Sequence, residues 1–203
     1  MANPSLRSAS IALAFIFAVN GSYFGAWATR IPDTKARFDL SADALGLLLL
    51  LLAIGSIISF PYAGRLVDRI GARRATMWTI PYYVCALTLM GLAPNIWVLA
   101  ITLVLFGSSH GSMDVAMNAW GAEVERAAGK PILGRFHASY SMGAGAGAAI
   151  GAMTISLGLS IMEHLVGFAI ATGLLLWLFS GNTWQESFNM VSMWLAHETA
   201  SKA

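Results

Sequence analysis

The stretch "GRLVDRIGARR", Gly64–Arg74, gathers four arginines, one aspartate and two glycines between two long apolar runs. The rest of the chain is poor in charge. Charged residues make up 11% of its 203 positions and hydrophobic ones 57%, with a mean hydropathy of +0.67. Ordinary globular domains are roughly a quarter charged. A soluble fold has too little interior to hide this much apolar surface, so a lipid bilayer is the implied solvent. Charge is then excluded from the segments that cross lipid and collects where the chain emerges.

The runs on either side of this stretch are long enough to cross a membrane, which takes about 20 mostly apolar residues. Six spans are expected, approximately Ser10–Thr29, Ala44–Tyr62, Ala75–Leu92, Ile96–Gly121, Phe136–Leu157 and His164–Ser180. The fifth is softened by glycines and the sixth is short; the break between them falls around "GLSIMEH". The runs are too long for strands and do not alternate with period two. The expected fold is therefore an all-α transmembrane six-helix bundle over residues 1–180, with 181–203 as a cytoplasmic or interfacial tail. Arg7, the apolar Ile11–Val19 and "AWA" at Ala26–Ala28 imitate a signal peptide, but a polytopic protein keeps such a segment as its first helix.

Lysine and arginine set the orientation. With the N-terminus inside, the cytoplasmic segments carry Arg7, Arg65, Arg69, Arg73, Arg74, Arg126, Lys130, Arg135 and Lys202, and the outer side carries Arg30, Lys35 and Arg37. Both termini and the Gly64–Arg74 loop are thus expected in the cytoplasm. The net charge of +2 gives no general attraction to nucleic acid, and the one cysteine, Cys85, excludes an intramolecular disulfide.

The loop reads G-x-x-x-D-R-x-G-x-R-R. Gly64 would let two helix ends approach closely, and Gly71 would permit a turn that a side chain hinders. Asp68 can pair with Arg69, Arg73 or Arg74, and a pair made in one conformation and broken in another is a latch. The string resembles the signature loop between the second and third helices of the major facilitator superfamily. "WATRIPDTKARFDLSADALGLLLL", "GSMDVAMNAWGAEVER" and "GRFHASYSMGAGAGAAIG" are also similar to bacterial members, near the fucose permease type of sugar–proton symporter. The resemblance runs along Ile11–Phe179 and implies the N-terminal half of a transporter in a bacterial inner membrane. It also implies that Gly64, Asp68, Arg69, Gly71, Arg73 and Arg74 help hold the cytoplasmic face closed. Ala148 stands where the superfamily's antiporters carry a proline, which argues against drug efflux.

Ionisable residues inside a membrane mark function by default. The fourth span holds His110, Asp114 and Asn118 at i, i+4 and i+8, on one stripe of a 3.6-residue helix. Asp114 is the expected proton site; the alternative is a satisfied polar pair bonding this helix to a neighbour. Asn20, Tyr23 and Trp27 share a face of the first span, where an amide with aromatics could line a cavity for a small polar solute. Trp27 reads more simply as an interfacial aromatic. His137, Tyr140 and Ser141 share a face of the fifth span near the cytoplasmic entrance, where His137 is expected on the solute and proton path. Gly143, Gly147 and Gly151 make two G-x-x-x-G steps, a helix-packing pattern. Glu123, Glu125 and Arg126 would join the gate's charges or simply end a helix in solvent.

No P-loop, H-E-x-x-H, cysteine–histidine metal spacing or G-x-S-x-G occurs, so neither an enzyme nor a cofactor is expected. The leading expectation is a secondary transporter, or its N-terminal half, binding a small polar solute and a proton between two six-helix halves. The alternative is a truncated, non-transporting membrane protein that packs against another subunit. One half alone would expose Asp114 and Asn20 to lipid, so a second half or a homodimer partner is expected. In the tail, Phe188, Val191 and Leu195 at i, i+3 and i+7 would suit an interfacial amphipathic helix.

Overall fold

The computed structural model describes residues 4–180, with side chains from 6 to 176. The tail from 181, with the helix expected through Phe188, Val191 and Leu195, lies outside the described residues. Seven helices follow one another: α1 (Pro4–Thr29), α2 (Ile31–Arg37), α3 (Ala42–Ile70), α4 (Ala72–Gly91), α5 (Ile96–Ala128), α6 (Leu133–Ser156) and α7 (Ile161–Ser180). Apart from the seven-residue α2, each matches one expected span. The α1–α2 stretch, α3 and α5 are long and apolar enough to cross a membrane on their own terms, and α7 contributes a shorter apolar helix. The basic start of α4 and the glycines of α6 dilute their hydropathy, so those two depend on packing as well as lipid.

Local chemistry sets the ends. Ser41 caps α3 by accepting from the Ala44 amide, and Asn95 caps α5 by accepting from the Trp97 and Val98 amides. Such caps satisfy donors that the first helical turn leaves unpaired. Ser160 and Glu163 close α7 reciprocally. The Glu163 carboxylate accepts from the Ser160 amide and hydroxyl, while the Ser160 Oγ accepts from the Glu163 amide, the S-x-x-E capping box. The sixth span therefore begins at Ile161, not His164.

The Gly64–Arg74 stretch is not a loop. Gly64–Ile70 form the last turns of α3, and α4 starts at Ala72. Gly71 alone separates the two helices, at φ 83°, a conformation that side-chain-bearing residues rarely adopt. A helix leaving the bilayer has no reason to unwind until such a residue stops it. α5 likewise runs past its expected end at Gly121 to Ala128, with Gly129 at φ 63° beyond it.

α1 packs on α6, while α5 packs on both α3 and α4, and α4 also meets α7. Small residues make the two closest seams. Cβ atoms at Gly143 and Gly147 of α6 would overlap the Ala18 and Ser22 carbonyls of α1. Reciprocally, Gly21 and Gly25 of α1 leave room for the Tyr140 and Ala144 carbonyls of α6, and Gly151 sits against Thr29. A second seam joins α3 to α5. There Gly55 faces the Val104 carbonyl, Gly107 faces Leu52, and the Ser56 hydroxyl donates to the Gly107 carbonyl at 2.8 Å. Lipid tails are as apolar as leucine, so close backbone approach is what drives such helix pairs together. Two apolar clusters fill the interior, one around Trp27, Tyr83, Leu103 and Phe106, the other around Phe17, Met117, Trp120 and Phe136. Leu47, Leu50, Ile57 and Ile58 leave one flank of α3 exposed.

Candidate functional site

Halfway along α5, Asp114 is partly exposed and accepts a hydrogen bond of 3.0 Å from the Asn118 amide, which also donates to the Asp114 carbonyl at 2.9 Å. One turn earlier, His110 is partly exposed and shares a hydrogen bond of 2.9 Å between its Nδ1 and the Tyr83 hydroxyl of α4. The His110 ring lies 5.6 Å from Phe24 of α1 and 6.4 Å from Tyr140 of α6. Asp114 is within electrostatic reach of His110, Tyr83 and Tyr140. Three helices, α1, α5 and α6, thus converge on a polar and aromatic stripe comprising Phe24, His110, Asp114, Asn118 and Tyr140, with Tyr83 of α4 buried behind it. It contains no lysine or arginine, so Asp114 has no permanent countercharge there.

Asn20 and Tyr23 do not line this stripe, which corrects the cavity expectation for both. Each is 1% exposed. The Asn20 amide donates to the Met117 sulfur at 3.5 Å, while its Oδ1 has no partner among the described residues. The Tyr23 hydroxyl bonds Thr172 of α7 at 2.7 Å, and its ring lies 4.8 Å from that of Tyr83. Trp27 is also buried. These three residues do share a face, but the seam with α6 uses Gly21, Gly25 and their neighbours, which rotates the Asn20–Tyr23–Trp27 face into the bundle. Phe24 takes the exposed position instead.

His137 is exposed and meets Phe17 edge-on, with ring centroids 5.4 Å apart. Asp68 and Arg69 are exposed at the end of α3, and among the described residues no ion pair reaches Asp68. Arg65 lies over the Tyr62 ring at 5.7 Å. A Cβ at Gly64 would meet nothing within 4 Å. The close helix approach expected there is therefore not made inside this bundle, because the α3 face that bears Gly64 has no neighbour in it. Glu125 closes the α5–α6 turn, its Oε2 accepting from the Ile132 and Leu133 amides at 2.7 Å each.

The strongest polar cluster was not legible as a site. Arg30, counted in the sequence as an outer-loop charge, is 2% exposed. Its Nε donates to His164 Nδ1 at 3.0 Å, one terminal nitrogen to Asp33 at 2.6 Å, and the other to the Thr154 hydroxyl and Leu159 carbonyl at 3.0 Å each. One guanidinium ties the α1–α2 junction to α6, to the turn after it and to α7. The separations in sequence, up to 134 residues, explain why local spacing gave no signal.

The bundle and its half-buried polar stripe define a multi-pass helical membrane protein. Residues 9–192 match the model of the Major Facilitator Superfamily. The chain is 44% identical over 172 residues to an uncharacterized transporter, y4wD, of Sinorhizobium fredii, covering 84% of this chain and 45% of that protein. It is 32% identical to membrane protein MosC of Rhizobium meliloti (87% of this chain, 43% of that one) and 34% identical to an uncharacterized MFS-type transporter of Yersinia pestis (84% and 44%). The chain therefore belongs to the major facilitator superfamily. It spans about half the length of these curated relatives.

Proposed function

We propose that this chain is the N-terminal six-helix half of a proton-coupled symporter. It would move a small polar solute across a bacterial inner membrane by alternating access. Solute would bind between the Phe24–His110–Asp114–Asn118–Tyr140 stripe and a second six-helix half, or a homodimer partner in its place, the two rocking about the site. The observation that carries the reading is Asp114, a half-buried carboxylate at mid-helix whose hydrogen-bond partner is an amide and not a cation. Such a group is costly in lipid and characteristic of proton relays. Asp114→Asn in a two-half assembly should abolish uphill accumulation, by about 100-fold or more on the scale of a lost proton-transfer group, while sparing solute exchange. Uphill uptake at the wild-type rate in proteoliposomes would remove Asp114 from the mechanism. The placement near the fucose permease type rests on the "MDVAMN" segment of α5 and extends no further than a small polar solute.

The Gly64–Arg74 stretch belongs to the same reading as the cytoplasmic latch, with both termini on that side. The open space at Gly64 and the exposed Asp68 suit a surface that a second half would cover. A cysteine at position 69 should react with a membrane-impermeant maleimide only from the cytoplasmic side, and in a two-half assembly Asp68→Asn should speed that reaction severalfold. Labelling from outside would overturn the orientation, and an unchanged rate would overturn the latch.

A further inference from the structure

Tyr83 sits on α4, where the sequence assigns only the gating residues Arg73 and Arg74 at the helix start, and is 2% exposed. Its ring is fixed on two sides, stacked on Phe106 with centroids 5.1 Å apart and packed on Tyr23 at 4.8 Å. From that fixed ring the hydroxyl reaches His110 Nδ1 at 2.9 Å. The other imidazole nitrogen, Nε2, has no hydrogen-bond partner among the described residues and is not among the sealed polar atoms. Phe24 and Tyr140 flank the ring, and Asp114 lies one turn further along α5.

An imidazole tethered at Nδ1 has lost the ring flip that would swap Nδ1 with Cδ2 and Nε2 with Cε1, so the untethered Nε2 holds a single position. The chemistry of the tether matters as well. A phenol hydroxyl both donates and accepts. It donates to Nδ1 when the imidazole is neutral and accepts from Nδ1–H when it is an imidazolium. A lysine could only donate and would lose the imidazolium, whereas a backbone carbonyl could only accept and would force the neutral ring into the Nδ1-protonated tautomer, leaving Nε2 without its proton.

We propose that Tyr83 is a positioning residue for the transport path. Its buried hydroxyl holds the His110 ring in one orientation through both protonation states, keeping Nε2 available to the solute or to Asp114. This rests on the reading of the stripe as the solute and proton path.

The test separates the two. Tyr83→Phe keeps the ring that stacks on Phe106 and removes only the hydroxyl. The 203-residue chain, labelled with ¹⁵N-histidine in lipid nanodiscs, has four histidines, and His110→Gln assigns the signal of interest. In the wild-type protein at alkaline pH, His110 should give one tautomer, with the proton on Nε2 and a hydrogen-bonded Nδ1. In Tyr83→Phe the Nδ1 signal should move to its unbonded position and the tautomers should mix, with the other histidines unchanged as a check on folding. Transport efficiency in a two-half assembly should fall about fivefold, the scale of one net hydrogen bond. Unchanged His110 signals in Tyr83→Phe overturn the positioning role whatever transport does. Changed signals, with His110→Gln transporting at the wild-type rate, overturn the reading of the stripe and with it the role of Tyr83 in transport.

Discussion

Gly147→Leu will separate α1 from α6 and leave little folded protein. A Cβ at Gly147 would overlap the Ser22 carbonyl, and its neighbour in the seam, Gly143, meets the Ala18 carbonyl in the same way. Overpacking a core side chain typically costs about 1–3 kcal/mol, because neighbours can rotate aside. A backbone carbonyl inside a helix cannot, so the cost here should sit at or above the top of that range, roughly 3 kcal/mol. The control lies on the same helix. Gly145 has nothing within 4 Å of a Cβ, so Gly145→Leu should leave the thermal midpoint in detergent within a few degrees of wild type. If both variants unfold alike, helix composition and not the seam sets stability. Gly147→Leu folding normally would refute the seam's importance outright.

Arg30→Met should be nearly as damaging, by a different route. Methionine roughly keeps the apolar length of the side chain but withdraws the donors that serve His164, Thr154, the Leu159 carbonyl and Asp33. Thr154 retains a bond to the Gly151 carbonyl, and Asp33 is partly exposed and can turn to water. His164, 2% exposed, loses a donor it cannot easily replace, whereas Leu159 is exposed. Removing one member of a buried charged network costs about 3–5 kcal/mol. The exposure of Asp33 puts the expectation at the lower end, about 3 kcal/mol. Arg30→Lys restores the charge but not the planar fork that reaches four acceptors at once, so it should recover less than half of the loss. A lysine variant as stable as wild type would mean that the charge alone matters, and a methionine variant as stable as wild type would show that the cluster contributes nothing. Both are read from thermal unfolding of purified protein.

These two regions differ in how far they could be read in advance. The G-x-x-x-G steps of α6 are a local pattern with a local cause, since glycines four apart share a helix face. Their partner was not legible, because any of the other helices might have met that face. The Arg30 cluster has no local pattern at all. The positive-inside tally counts Arg30 as a charge beyond the first span but says nothing of Thr154 or His164, which the fold brings to it from other helices.

The sequence by itself determined that the chain is a helical membrane bundle, the approximate places of its six long helices, and that His110, Asp114 and Asn118 share a stripe. Each of these follows from composition or from a period of 3.6 residues, and both are properties of neighbouring positions. The Gly71 stop was also visible, as a glycine among arginines, although the residues before it continue α3 and do not form a loop. Only the tertiary structure decided which face of each helix meets another. The Asn20–Tyr23–Trp27 face is as regular in sequence as the Asp114 stripe, yet it turns inward, because the small residues beside it lock α1 onto α6 and set the helix's rotation. The same rotation exposes Phe24, and the packing of α4 on α5 carries Tyr83 to His110. Rotation about a helix axis depends on contacts between residues far apart in the chain, and no local period encodes it.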